Sequence, residues 1–146
     1  MILEVNLGTL QIELGELSID SLDIELDKAI KEKQKQAFKD MLICLDDIKT
    51  AQRTCPDCNS EMISHGFVKR KLGIIAGEVE LKKRRFKCPS CKREHYPLDM
   101  VLEKNKKHTL PVIERALFLA TDLSYEKSSK TLLKLTGAKV SSSQIQ

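Results

Sequence analysis

The pattern of apolar and polar positions divides the chain into a helical first part, a strand-rich centre and a helical end. From residue 21 to residue 47, apolar side chains recur every three or four positions, which predicts a long amphipathic helix capped by Ser18, Asp20 or Ser21. Two central runs, 62–72 and 79–87, suit strands, with glycines between them for a reversal. The predicted fold class is therefore small α+β.

Helix caps define the predicted elements of the C-terminal part. Thr109 precedes a helix with Pro111 in its first turn, and Ser124 precedes a second helix that ends before Gly137. Ser141 caps the start of a third helix. This order is typical of a helix-turn-helix, although a plain helical bundle fits it too. The predicted inner face of the first helix is Ile113, Ala116, Leu117 and Ala120. The residues expected to meet a DNA major groove are Ser142, Ser143, Gln144 and Gln146.

Four cysteines form two Cys-Pro-x-Cys pairs that flank the predicted strands. The pairs are Cys55 with Cys58 and Cys88 with Cys91. A two-residue spacer lets a tight turn direct both sulfurs at one ion, and the second pair completes a tetrahedral set. The spacing predicts a zinc ribbon with one structural Zn²⁺. Because four thiolates close the coordination shell, we expect the ion to hold the fold and not to activate water.

Other uses of the cysteines fit the sequence less well. Disulfides require an oxidising compartment, and because nothing in the sequence resembles an export signal, we expect none. A thioredoxin-like redox motif has a single Cys-x-x-Cys in a βαβ setting. We expect Cys44, on the long helix, to be a small buried apolar residue, and His65 to lie on the surface.

Charge is distributed unequally along the chain, whose formal net charge is +4. Residues 1–50 contain 11 acidic and 6 basic residues, whereas residues 51–146 contain 10 and 19. A basic region indicates a polyanion-binding surface, although a solvated basic face explains the composition equally well. Like charges on paired strands repel unless an anion lies among them, which favours nucleic-acid phosphates. The predicted phosphate contacts in the hairpin are Lys69, Arg70, Lys82, Lys83, Arg84 and Arg85.

The shape and core of the hairpin are also open to prediction. The hairpin is long for a zinc ribbon, so its tip is expected to project as an arm. Phe67, Phe86 and Tyr96 could stack on bases, but a place in the ribbon core is the favoured expectation. Aromatic residues make up only 4% of the chain and tryptophan is absent, so the core should be small and rich in Leu and Ile.

The ends of the chain carry weaker signals. Residues 1–17 alternate apolar and polar positions on both sides of Gly8, which predicts two short strands, with a disordered or processed leader as the alternative. The role of residues 1–20 stays open. No apolar run approaches membrane-spanning length, so we expect a reduced, cytoplasmic protein without a membrane partner. The third C-terminal helix has one turn before Gln146, as expected for the front part of a longer protein.

Several motifs together resemble the N-terminal region of insertion-sequence transposases of the ISKra type. They are CPDC, the run LGIIAGEVELKKRRFKCPSCKREHYPLD, and LTGAKVSSSQI near the end. The resemblance covers residues 50–146 and departs from the family pattern at Asn59 and Lys92, where a glycine often follows each cysteine pair. It implies DNA transposition through a catalytic domain with three metal-binding carboxylates, located beyond Gln146. This chain itself shows no catalytic motif, so we expect no enzymatic activity from it.

The combined expectation is a DNA-binding module that recognises the ends of a transposable element. Its segments are a leader with a long helix at 1–49, a zinc ribbon at 50–100 and a helix-turn-helix-like part at 108–146. The alternatives are a zinc-ribbon assembly module, with a homodimer formed through residues 21–47, and a non-functional transposase fragment.

Overall fold

The computed structural model describes residues 8–10, 12, 15, 18–50 and 53–146 of the chain. Within these residues, a long helix comes first, a three-stranded antiparallel sheet follows, and three helices come last. The predicted small α+β class is confirmed. The elements are α1 (Ile19–Thr50), β1 (Ile63–Ile74), β2 (Gly77–Lys87), β3 (Glu94–His95), the 3₁₀ turn Pro97–Met100, α2 (Leu110–Asp122), α3 (Tyr125–Thr136) and α4 (Ser142–Ile145).

Helix α1 begins where its serine cap satisfies the first backbone donors. The hydroxyl of Ser18 accepts a hydrogen bond from the Ser21 N–H at 3.1 Å, so Ser18 is the cap among the predicted candidates. The first third of α1 leaves its apolar side chains largely exposed, whereas Phe38, Leu42 and Leu45 near its end pack on the sheet. Only the C-terminal half of α1 therefore belongs to the core.

Strands β1 and β2 form the predicted hairpin and are longer than predicted at the tip. The ladder runs from Ile63 opposite Lys87 to Ile74 opposite Gly77, with an irregularity between Ser64 and Phe67. The reversal takes only two residues beyond Ile74, and Gly77 follows it with a φ of 121°, which a side chain rarely tolerates. Strand β3 adds to the other edge of β2.

The hairpin tip is buried, so the expected projecting arm is wrong. Leu72, Ile74 and Ala76 are each at most 6% exposed, and they pack with Leu42 of α1 and Leu98 of the 3₁₀ turn. The physical reason is the apolar composition of the tip. Exposing such side chains would forgo about 25 cal/mol for each Å² of apolar surface removed from water.

A second core lies among the three C-terminal helices. Its buried members are Val112, Ala116, Leu132, Ala138, Val140 and Ile145. The predicted inner face of α2 is confirmed at Ala116 and Ala120 but wrong at Leu117, which is 52% exposed, because Val112 and Leu119 turn inward instead. Helix α3 ends as predicted, with Gly137 in the left-handed conformation at φ 72°.

Backbone pairing joins the hairpin to the C-terminal helices. The Gly73 N–H donates to the Lys107 carbonyl at 2.8 Å, and the Thr109 N–H donates to the Gly73 carbonyl at 2.9 Å. On the other side, Lys31 Nζ donates to the carbonyl of Leu135 at 3.2 Å, where a cation meets the C-terminal end of α3. The lysine-rich middle of α1 therefore connects this helix to the end of α3.

The remaining sequence expectations have separate outcomes. No helix within the described residues is both long enough and apolar enough to cross a membrane. The strands expected within residues 1–17 lie largely outside the described residues. The division at residues 49 and 100 stays a prediction, although α1 and the hairpin share one core.

Replacing Gly73 with alanine is expected to lower the free energy of unfolding by about 1–3 kcal/mol. A methyl group at this position would overlap the ring of His108, with Nδ1 as the nearest atom. Chemical denaturation of the two proteins measures the difference.

The matched control is Gly15→Ala, where a methyl group would meet nothing within 4 Å. The double variant Gly73→Ala/His108→Ala removes the obstructing ring and should recover part of the lost stability. Equal losses in the single and double variants would contradict the steric explanation.

Candidate metal centre and basic surface

The two cysteine pairs form turns with the same backbone hydrogen bonds. The Cys55 N–H donates to the Ser60 carbonyl, and the Asn59 N–H donates to the Cys55 carbonyl, both at 2.9 Å. In the second turn, the Cys88 N–H donates to the Arg93 carbonyl at 2.9 Å, and the Lys92 N–H donates to the Cys88 carbonyl at 3.0 Å. The repeat of this pattern shows two copies of one knuckle.

The residue after each cysteine pair has a left-handed backbone. Asn59 has a φ of 58° and Lys92 a φ of 62°. Asparagine tolerates this region, whereas an unbranched charged side chain costs on the order of 1 kcal/mol there. These are the two positions where the sequence departs from the glycine of the resembled family, and the turn conformation is kept at both.

The four thiols converge at the open end of the hairpin. Cys55 Sγ lies 3.7 Å from Cys91 Sγ, and Cys58 Sγ lies 3.4 Å from Cys88 Sγ. All four sulfurs lie within 4.8 Å of one another. A tetrahedral ion with metal–sulfur bonds of about 2.3 Å places its sulfurs about 3.8 Å apart. The predicted cysteine cluster is therefore confirmed as a group that could hold a metal ion.

The surroundings of the thiols differ. Cys55 and Cys88 are fully buried beside Met62 and Phe86, whereas Cys58 is exposed. Hydrogen bonds with Ser60, first through its side chain and then through its backbone, lower the pKa of Cys58 to about 6. At Cys91 the hydrogen bond from the Arg93 backbone N–H lowers the pKa. Desolvation and the neighbouring thiols outweigh it and raise the pKa of Cys91 to about 12. The thiol of Cys58 therefore has a much lower pKa than the thiol of Cys91.

A histidine and an aspartate adjoin the cluster, and neither was predicted as a site residue. His95 Nε2 lies 3.5 Å from Cys55 Sγ and 3.3 Å from Asp57 Oδ2. The sequence held a signal for both: Asp57 stands inside the first cysteine pair, and His95 follows Cys91 by four residues. His65, which lies between the two cysteine pairs, is exposed on β1, as predicted.

Comparison with known proteins gives one family match, over residues 55–135, to the model described as Domain of unknown function (DUF6431). The match covers more than half of the chain. The chain belongs to this family. No curated protein matches it. The DUF6431 region begins at Cys55 and ends in α3, so it contains the complete cysteine cluster, the hairpin and α2.

Within the DUF6431 region, the predicted phosphate-binding cations mostly have partners inside the protein. Lys83 Nζ lies 2.7 Å from Asp99 Oδ1, and it also lies 4.1 Å from the centre of the Tyr96 ring. Arg70 lies 3.5 Å from the same carboxylate and donates to the carbonyls of Glu103 and Lys106 at 2.7 and 2.6 Å. Both side chains are only 13% exposed.

The arginines of β2 are also paired. Arg84 contacts Asp46 at 3.4 Å and also Asp47, both at the end of α1. Desolvation raises the pKa of Asp46 despite the opposing charge of Arg84. Arg85 donates to the His65 carbonyl at 3.1 Å and lies 3.6 Å from Glu94.

The two remaining cations of the six predicted phosphate contacts are more accessible. Lys69 is 70% exposed and forms a surface pair with Glu80 at 3.2 Å. Lys82 is exposed and has no ion-pair partner among the described residues. The anions that relieve repulsion across the hairpin are thus mostly the protein's own carboxylates. Phosphate contact by the six cations stays a prediction.

Four other side chains can be compared with what the sequence predicted. Phe86 is 2% exposed, so its place in the ribbon core is confirmed, but Phe67 is 64% exposed and that expectation is wrong. Phe67 lies beside the strand irregularity, where the ladder shifts and carries it to the outer face. Tyr96 is half-buried. Cys44 is exposed, so its expected burial is wrong, because α1 presents Leu42 and Leu45 to the sheet instead.

The predicted base-reading residues lie at the start of α4. Ser142 and Ser143 are exposed, whereas Gln144 forms the capping box with Ser141, its Oε1 accepting from the Ser141 N–H at 3.1 Å. Ile145, one residue further, is buried in the helical core. The first turn of α4 is therefore anchored on one side and accessible on the other.

Replacing Cys88 with serine is expected to abolish retention of metal and to lower the melting temperature by at least about 5 °C, which is about 2 kcal/mol for a chain of this size. A buried hydroxyl cannot replace a thiolate ligand. Metal analysis of protein purified without chelators and thermal unfolding provide the measurements.

The control variant is Cys44→Ser, which changes an exposed thiol on α1 outside the cluster. It should keep both its metal content and its melting temperature. Unchanged metal content in Cys88→Ser would contradict the assignment of the cluster as the metal centre.

Proposed function

We propose that this chain is a DNA-binding module with a structural Zn²⁺, corresponding to the N-terminal part of an ISKra-type transposase and recognising the ends of the element. The observation that carries the proposal is the packing of α2, α3 and α4. These helices share one core, and α3 and α4 are joined through the left-handed Gly137. This packing supports a helix-turn-helix, in which a second helix follows the first after a short glycine-containing turn.

The last helix is suited to reading a groove. Ile145 and Val140 fix it to the core of the helical part, while Ser142 and Ser143 face outward from its first turn. Recognition helices contact bases mainly with residues of their N-terminal part. Lys139, exposed in the preceding turn, is placed to contact a phosphate beside the same groove.

Zinc is the proposed occupant of the cysteine cluster. Four thiolates with tetrahedral spacing select Zn²⁺ over Mg²⁺ and Ca²⁺, which require oxygen ligands. With all four positions filled by sulfur, the ion would supply no Lewis acid to a substrate. We infer no catalytic role for this chain, and the resemblance implies that the transposition chemistry belongs to a further domain.

The ion pairs within the protein reduce the number of cations that are free to contact a phosphate. Of the six predicted phosphate-contacting residues, Lys82 is exposed without an ion pair among the described residues, and Lys69 has only a surface pair, which contributes little to stability. Arg70, Lys83, Arg84 and Arg85 are held by carboxylates and would contribute mainly to the local potential. We therefore assign direct phosphate contact to Lys82 first.

Binding to duplex DNA should depend steeply on salt, and Lys82→Ala should lower the affinity about equally for all sequences. Each phosphate contact adds about one unit to the slope of log affinity against log salt, so the slope should fall by about one. Fluorescence anisotropy at several salt concentrations measures both quantities.

Lys83→Ala is the matched comparison on the neighbouring residue. It should reduce thermal stability, because it removes the Asp99 pair, and change the salt slope less. The double variant Ser142→Ala/Ser143→Ala should lose sequence preference, measured by selection from random duplexes, while keeping the slope. Absence of DNA retention by the wild-type chain near physiological salt would contradict the proposal.

A second candidate function is assembly with another copy of the chain through α1. Leu22, Leu26 and Ile30 recur on one face of the helix and are 46%, 37% and 40% exposed. Light scattering should then give a dimer, and Leu26→Glu should convert it to a monomer. A monomer at high concentration in the wild type would contradict this candidate.

A further inference from the structure

We propose that the cysteine cluster binds a second divalent ion, through Cys55, Asp57, Cys91 and His95. The proposal rests on the first, all-thiolate site and adds a neighbouring site that shares two of its sulfurs. The expected ions are those that accept mixed sulfur, nitrogen and oxygen ligands, of which Zn²⁺ is the ordinary case.

The ligand atoms of the second set are spaced as a tetrahedral ion requires. Bonds of about 2.3 Å to sulfur and about 2.0–2.1 Å to nitrogen and oxygen give ligand separations of about 3.8 Å for S–S, 3.5 Å for S–N and 3.3 Å for N–O. The observed distances are 3.7 Å between Cys55 and Cys91, 3.5 Å between Cys55 and His95, and 3.3 Å between His95 and Asp57. All four atoms lie within 4.8 Å of one another.

Both knuckles contribute to this set. Cys55 and Asp57 belong to the first turn, and Cys91 belongs to the second. His95 is fixed by the pairing of β3 with β2, in which it lies opposite Phe86. The second ion would therefore add a link between the same two turns that the first ion joins.

The aspartate is oriented for this role. Asp57 Oδ1 forms an ion pair with Arg93 Nη1 at 3.1 Å, while Oδ2 lies 3.3 Å from His95 Nε2. The guanidinium pairs with one oxygen and leaves the other facing His95. Carboxylate ligands of metal sites are typically held by such an outer polar contact.

Charge also favours a second ion. Four thiolates exceed the charge of one divalent ion by two negative charges, and Asp57 adds a third. A neutral histidine contributes no charge, so a second divalent ion would reduce the excess to one. The side chains of His95 and Asp57 are 20% and 36% exposed, which leaves the set open to an entering ion.

The competing explanation is that His95 only donates a hydrogen bond to a sulfur of the first site while pairing with Asp57. Such outer contacts orient ligands without binding metal. The two explanations predict different stoichiometries, so they can be separated directly.

The test is titration of the reduced, metal-free full chain with ¹¹³Cd²⁺, followed by native mass spectrometry and ¹¹³Cd NMR. The wild type should bind two ions, and the NMR spectrum should show an all-sulfur resonance and a mixed-ligand resonance, coupled through the shared sulfurs. His95→Phe and Asp57→Asn should each bind one ion and keep the all-sulfur resonance.

His65→Ala, which changes an exposed histidine of the same hairpin, serves as the control and should still bind two ions. Saturation of the wild type at one ion would overturn the second site while leaving the zinc ribbon in place. A second ion that persists in both His95→Phe and Asp57→Asn would place it elsewhere and overturn the proposal too. Failure to bind any ion would instead contradict the all-thiolate site.

Discussion

The open end of the hairpin, opposite its tip, depends on the convergence of the four thiols. The apolar core at the tip does not extend to the open end, where the buried cluster consists of Cys55, Cys88, Met62 and Phe86. Two large apolar side chains cannot offset the entropy of ordering two turns and the strand ends. A metal ion held by the four thiolates would supply the missing free energy, as is usual in small metal-bound domains.

The second organising feature is the pairing of hairpin cations with carboxylates from elsewhere in the chain. Asp99 lies between Arg70 and Lys83, while Asp46 and Asp47 bring the end of α1 to Arg84. Truncating one member of such a partly buried group leaves a charge without its partner, which costs more than loss of a surface pair. The basic strand is thus first a structural element, and its accessible remainder carries the proposed DNA contact.

Local signals account for what the sequence predicted correctly. The cysteine spacing, the strand pattern and the caps at Ser124, Gly137 and Ser141 each act within a few residues, so they could be identified without the fold. The burial of the hairpin tip and the exposure of Phe67 could not, because they depend on which element packs against which strand face. The partners of Arg70 and Arg84 are likewise more than 20 residues away along the chain.

The backbone pairing of Gly73 with residues 107–109 has a mechanical consequence. A connection made by main-chain hydrogen bonds and closed by the contact of Lys31 with the end of α3 leaves little freedom for the helical part to swivel on the sheet. The distance from Lys82 to the first turn of α4 is then nearly constant. A DNA duplex that contacts both Lys82 and α4 would need a phosphate and a major groove separated by that distance, or would have to bend to bring them to it.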